Sequence, residues 1–417
     1  MPGVRCQQNR WKADKLGCLK AQELSGLLAS QFHKNQSLKA QFMIPKIRIL
    51  TLFPTGRRIS AILLVLFLAL APLNCQSIQF YTQAIDGQMN ILRNRRPIAE
   101  LLDDPDIPDK LRKELLFTLS VRNFAEKNLQ LPVKNHYLSY VEVNRPYVVW
   151  NVFAAPEFSM TPKTWCFPVV GCVAYRGYFS EQDAYRFGDS LKQKGFDVYI
   201  GGAIAYSTLG WFDDPVLSTF LNLNEADMAA LIFHELAHSV LYISDDTAFN
   251  ESFATAVEQE GLRRWQVALN DPKGYEEWSG KRQQHQKFTS LVVKYRTRLQ
   301  DLYAGNLPLN EKRNRKAAFF QQMRSEFVQM KSERDDMAAY DYWFKSPPNN
   351  ARLISVSTYN DWVPAFNRML SETGGDLEQF YQKCRLLAKK DAAERNRMLE
   401  YYKGASGRRE SAGPVID

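Results

Sequence analysis

Two histidines four residues apart with a glutamate between them, His234-Glu235-Leu236-Ala237-His238, are the side chains of this sequence best suited by type and spacing to do chemistry. On a helix, positions i and i+4 stand about 5–6 Å apart between Cβ atoms, so both imidazoles can turn to one ion. Glu235, one residue round the helix, then reaches a water beside that ion. Two neutral imidazoles suit Zn2+, the metal lowers the pKa of its water, and the carboxylate takes the proton as hydroxide attacks a carbonyl. One zinc ion is therefore the expected cofactor. Of the five histidines, His33 lies near the N-terminus, and His136 and His285 have no acidic or histidine neighbour at ligand spacing.

The surrounding residues favour the helix this chemistry needs. Asn224 stands where an N-cap belongs, Asp227 offers a carboxylate to the first turn, and Met228, Ala229, Leu231, Ile232 and Leu236 supply apolar faces. A catalytic zinc usually has three protein ligands and one open position. Asn250-Glu251-Ser252-Phe253-Ala254 opens a second helix, and a reversal through Tyr242-Ile243-Ser244-Asp245-Asp246 could return Glu251 to the first. Asp245, Asp246 and Glu258 compete for the third position. The aspartates read as turn or cap residues, and Glu258, two turns beyond Glu251, reads as a supporting or surface residue, so Glu251 is favoured.

Composition limits the alternatives. The chain has 417 residues, 45% of them hydrophobic, with six cysteines, which excludes a wholly disordered chain and a disulfide-framework miniprotein. Its net charge of +9 suggests a polyanion partner until it is located. Residues 1–75 carry eleven Lys and Arg against Asp14 and Glu23, and the remainder is balanced, so no nucleic acid is expected.

The N-terminal part reads as a leader. Residues 61–73 are an uncharged apolar run behind Arg57 and Arg58. Crossing a bilayer takes roughly 20 apolar residues, whereas an export signal needs about 7–15. Cys75 directly follows, and the pattern resembles the lipobox of bacterial lipoproteins, although Asn74 and Pro72 stand where a small residue and a leucine are usual. Lipidation of Cys75 implies a membrane-anchored protein of the bacterial cell envelope facing the periplasm. Residues 1–42 do not suit an export signal; translation from Met43 would give a signal over 43–75 and an exported part over 76–417. In that oxidising compartment, Cys166 and Cys172 are candidates for a small disulfide loop.

The exported part reads as α+β, mainly helical. Residues 78–128 are helical with breaks at Pro105 and Pro108, residues 137–180 and 197–206 carry strands, and the active-site core spans about 195–270. Residues 275–345 suggest a long helical hairpin, and 359–402 a final helical stretch.

The stretch 232–265 resembles the glutamate-type zinc peptidases, in which H-E-x-x-H is followed by N-E-x-x-A. More closely, the chain resembles a family of bacterial predicted aminopeptidases, often lipoproteins. The matching residues include Trp165-Cys166-Phe167-Pro168-Val169-Val170-Gly171-Cys172, Ala205-Tyr206-Ser207-Thr208, His234 to His238, Phe249-Asn250-Glu251-Ser252, Asn349-Asn350-Ala351-Arg352-Leu353 and Tyr359-Asn360-Asp361-Trp362. The resemblance implies a zincin-like fold and a membrane-attached peptidase acting on peptides. Its ligands would be His234, His238 and Glu251, with Glu235 as general base. The Gly-rich strand that carries an amine-binding Glu in better-known relatives corresponds by position to residues 201–206, which contain no acid. Tyr206 is a candidate oxyanion donor, and Arg176 and Asn350 could orient peptide backbone. The competing reading is a non-catalytic envelope scaffold with a structural metal. Oligomeric state is left open.

Overall fold

Prolines punctuate the first helices. The structure, a computed structural model, describes residues 75–167, 171–206, 212–332, 335–357 and 362–404; residues 1–74, including the proposed start at Met43 and the apolar run, lie outside. The chain divides into two units, Met1–Ile78 and Gln79–Asp417, and the second holds the site. Helix α1 (Cys75–Arg93) leads through a short strand β1 (Arg96–Pro97) into α2 (Ile98–Asp103) and α3 (Asp109–Leu129). Pro97 and Pro108 occupy the N-caps of α2 and α3, where a missing N–H costs nothing.

Three small sheets follow. Strand β2 (Ser139–Val141) pairs antiparallel with β1 and parallel with β8 (Val216–Leu217), a mixed sheet. In the second, β3 (Val149–Pro156) lies between β6 (Tyr175–Tyr178) and β7 (Phe196–Ala203), antiparallel to both. Alternation sorts its residues: Trp150, Val152, Ala154, Tyr178 and Val198 bury one face against α4 (Glu181–Lys192), while Phe153, Tyr175 and Tyr199 cluster on the other. The third is a hairpin of β4 (Trp165–Phe167) and β5 (Gly171–Val173), tied by a Cys166–Cys172 disulfide.

The main core is helical. Helices α5 (Glu225–His238) and α6 (Thr247–Leu269) pack on α3 and on the C-terminal helices α10 (Val363–Glu372), α11 (Leu377–Ala388) and α12 (Ala392–Gly404). Phe253 of α6 is fully enclosed, with Phe366 and Phe380 rings 5.8 and 5.9 Å away. The hairpin forms from α7 (Pro272–Ala304) and α8 (Leu309–Ser332), joined across residues 305–308 and pinned by Lys294 and Tyr295 on Glu326. Its second core, with Phe288, Leu299 and Phe327, continues into a 3-10 segment (Asp335–Phe344) and α9 (Asn350–Ser357). The fold is thus mainly helical α+β.

The expected final stretch is divided rather than continuous. Gly374 and Gly375 take φ of +63° and +83°, ending α10, and Asp376 caps α11 by accepting from Gln379 N at 3.0 Å. Among the described residues no helix is long and apolar enough to cross a membrane.

Candidate metal centre

Helix α5 starts where its cap places it: Asn224 Oδ1 accepts from Asp227 N at 2.9 Å. His238 ends it and His234 lies one turn earlier. The chain reverses through residues 239–246, and Asn250, 1% exposed, clamps that turn: Ile243 N donates to its Oδ1 at 2.8 Å, and its Nδ2 donates to Ile243 O at 2.7 Å. Asp246 accepts from Phe249 N at 3.1 Å, capping α6, and its other oxygen accepts from Arg395 at 2.6 Å. Ser252 Oγ accepts from Trp362 N at 3.1 Å. Asn250, Glu251 and Ser252 therefore hold the turn, face the histidines and fasten α6 to the segment leading into α10.

Glu251 meets both imidazoles. Its Oε2 lies 3.3 Å from His234 Nε2 and its Oε1 lies 3.8 Å from His238 Nε2. One donor atom from each residue falls within 4.8 Å of the others. Two imidazole nitrogens and one carboxylate oxygen form a donor set suited to a borderline cation with an open position, and the residues present fit one such ion. The other candidates are occupied: Asp245 accepts from Cys172 N, Asp246 is the cap, and Glu258 Oε2 accepts from His234 Nδ1 at 3.0 Å.

The family described as "Putative aminopeptidase" matches residues 79–399. The chain belongs to that family. No curated protein and no solved structure matches it.

The electrostatics of this aminopeptidase-family site follow from its burial. Burial pushes Glu235 up to about 7; Glu251, Asp214 and Glu258 reinforce the shift and His234 opposes it. A carboxyl poised there can take and return a proton near neutrality. Burial also pulls His238 down to about 4, which keeps its ring neutral, the form that binds cations. On His234 burial opposes charge, but hydrogen bonds to Glu251 and Glu258 prevail and raise it well above its usual value. A cation must therefore displace a proton from His234. A cavity of about 380 Å³ opens beside the pair, lined by Leu231, His234, Glu235, Glu258, Trp278 and Arg282.

The other expected residues fall elsewhere. Tyr206 donates its hydroxyl to Gln88 Oε1 and packs edge-on against Phe179, with Asp214, Arg95 and Arg145 as its charged surroundings. Arg176 lies on the opposite sheet face from Tyr175, its guanidinium 3.9 Å from the Phe80 ring centre and 4.6 Å from that of Phe187. Asn350 is used up in structure: its Nδ2 donates to the Pro156 and Glu157 carbonyls, both at 3.0 Å, and its Oδ1 accepts from Tyr303 at 2.8 Å. Cys75 begins α1, and residues 168–170, 207–208 and 359–361 of the matching segments lie outside the described residues.

Sequence reasoning missed three contributors. Burial raises the Tyr175 hydroxyl, and Glu251 and Glu235 add to that, so this tyrosine shares the field of the site. Asp214, whose N–H donates to His136 Nδ1 at 3.0 Å, feeds the shift on Glu235. Arg282 of α7 donates to Glu258 Oε1 at 3.1 Å, linking the hairpin to the carboxylate that holds His234. Strand alternation through Tyr175-Arg176 could have revealed the first; the other two depend on pairing across long stretches of chain.

Proposed function

We propose that this chain is a zinc metallopeptidase of the envelope, anchored through lipid on Cys75, that removes N-terminal residues from peptides. The observation that carries the reading is the convergence of His234, His238 and Glu251 beside a half-buried carboxyl, Glu235, whose pKa is raised to about 7. A zinc ion held there would supply Lewis acidity to a water molecule and to the scissile carbonyl. Glu235 takes the proton from the attacking water and returns it to the leaving amine, a double role that suits a group titrating near neutrality. Glu258 holds His234 in the tautomer that leaves Nε2 free for the ion, and Arg282 holds Glu258. The cavity beside His234 and Glu235 receives the peptide, with Leu231 and Trp278 as its apolar walls. Zinc, periplasmic location and action at a free N-terminus rest on the donor chemistry, the leader and the family description respectively.

The experiment is Glu235→Gln. The variant should bind zinc as the parent does and lose peptide hydrolysis by about 10²–10⁴-fold, because only the base is removed. Undiminished hydrolysis rejects the role. Cleavage of a free-amine peptide library beside its N-acetylated copy, with and without a chelator, decides the exopeptidase reading, which fails if both sets are cut equally.

A further inference from the structure

The segment Asn349 to Leu353 contains a charge that the hydrolytic reading does not use. Its two asparagines are structural: Asn349 Nδ2 donates to Val198 O at 2.9 Å, its Oδ1 accepts from Arg352 N at 3.0 Å, and Asn350 holds the end of β3. Arg352 differs. It is 5% exposed, yet among the described residues its guanidinium has a single hydrogen bond, from Nη1 to Ser346 Oγ at 2.7 Å, and its buried Nε has no partner. The Tyr199 and Trp343 rings lie 5.0 Å from its Cζ, and among the described residues no carboxylate pairs with it. A buried cation left without an anion is costly, so a protein that keeps one has a use for it.

The guanidinium borders a cavity of about 380 Å³ lined by Tyr185, Lys192, Tyr199, Tyr342 and Lys345, and no described acidic residue lines it. Lys345 Nζ rests 5.3 Å from the Tyr342 ring centre and has no ion pair among the described residues. Lys192 has only a solvent-exposed contact with Asp189 at 3.0 Å, the kind of pair an arriving anion exchanges at little cost. None of these residues lines the cavity at His234.

We propose that this cleft binds a phosphate group, with the Arg352 guanidinium as a donor in its wall, Lys192 and Lys345 at the rim, and the tyrosines against the moiety that carries the phosphate. With Nη1 engaged by Ser346 and Nε enclosed, the guanidinium keeps Nη2 as its charged donor to an oxyanion. Three cations match the charge of a phosphate better than that of a lone carboxylate. The phosphate belongs either to a soluble monoester or to a phospholipid headgroup, and both present the same oxygens.

Calorimetric titration of the full-length, zinc-loaded protein in phosphate-free buffer tests this with two probes: inorganic phosphate and the headgroup diester glycerophosphoglycerol. Saturable binding of at least one probe is expected, weakened at least about tenfold by Lys345→Glu and by Arg352→Gln. Tighter binding of phosphate assigns the site to monoesters, and tighter binding of the diester assigns it to a headgroup. The proposal is overturned if neither probe binds, or if Lys345→Glu leaves binding unchanged, as it would for an anion seated on the metal. Lys345 is exposed, so its variant stays informative should Arg352→Gln fail to fold.

Discussion

Glu258 Oε2 accepts from His234 Nδ1 at 3.0 Å while the opposite nitrogen of the same ring faces Glu251, so two carboxylates from one helix address both sides of one imidazole. The spacing explains it: seven residues are two turns, which puts Glu251 and Glu258 on the same stripe of α6. One side of the ring is fixed and the other is left for a cation. Replacing Glu258 with Gln removes the fixed charge but keeps an oxygen that accepts. Zinc affinity should fall about 10–100-fold, with hydrolysis recovering when zinc is raised. Competition against a fluorescent chelator measures this; unchanged affinity would show that Glu258 merely packs.

The turn between α5 and α6 depends on Asn250. Asn250→Ala deletes both hydrogen bonds to Ile243 and leaves its part-buried backbone N–H and C=O without that partner, which should cost about 1–3 kcal/mol. Urea unfolding of the zinc-free protein reads that loss directly. Because Glu251 is the next residue, zinc affinity should fall with it, whereas stability lost at constant affinity would uncouple the turn from the ligand.

In the proposed hydrolysis two tyrosines are candidate donors to the developing oxyanion. The hydroxyl of Tyr206 is engaged by Gln88, and Tyr175 shares the field of Glu251 and Glu235. Tyr175→Phe should lower kcat by about 10²-fold or more with little change in KM, and Tyr206→Phe by less than about tenfold. The reverse order in steady-state kinetics would return the role to Tyr206.

What could be read from the residues alone follows the range of the interactions. The cap at Asn224, the helical spacing of His234 and His238, the turn before Glu251 and the break at Pro105 and Pro108 ahead of α3 are local, and local chemistry decides them. The hairpin over α7 and α8 was visible because charged, helix-favouring residues flank a Gly and Pro break. The strand pairings were not, since β2 meets β8 across a long stretch of chain, Tyr140 pairing with Val216. Nor were the surroundings of Glu235, whose pKa depends on Asp214 and Glu258, or the aromatic faces on Arg352, which come from Tyr199 and Trp343. Arg176 and Asn350 show the same limit: each is a polar residue whose use is set by partners far along the chain.

The most direct measurement is the zinc content and affinity of the parent protein beside Glu251→Ala. One zinc per chain in the parent, with affinity lowered at least about 100-fold in the variant, is the predicted result. A parent that binds no zinc, or a variant that binds it equally well, contradicts the account.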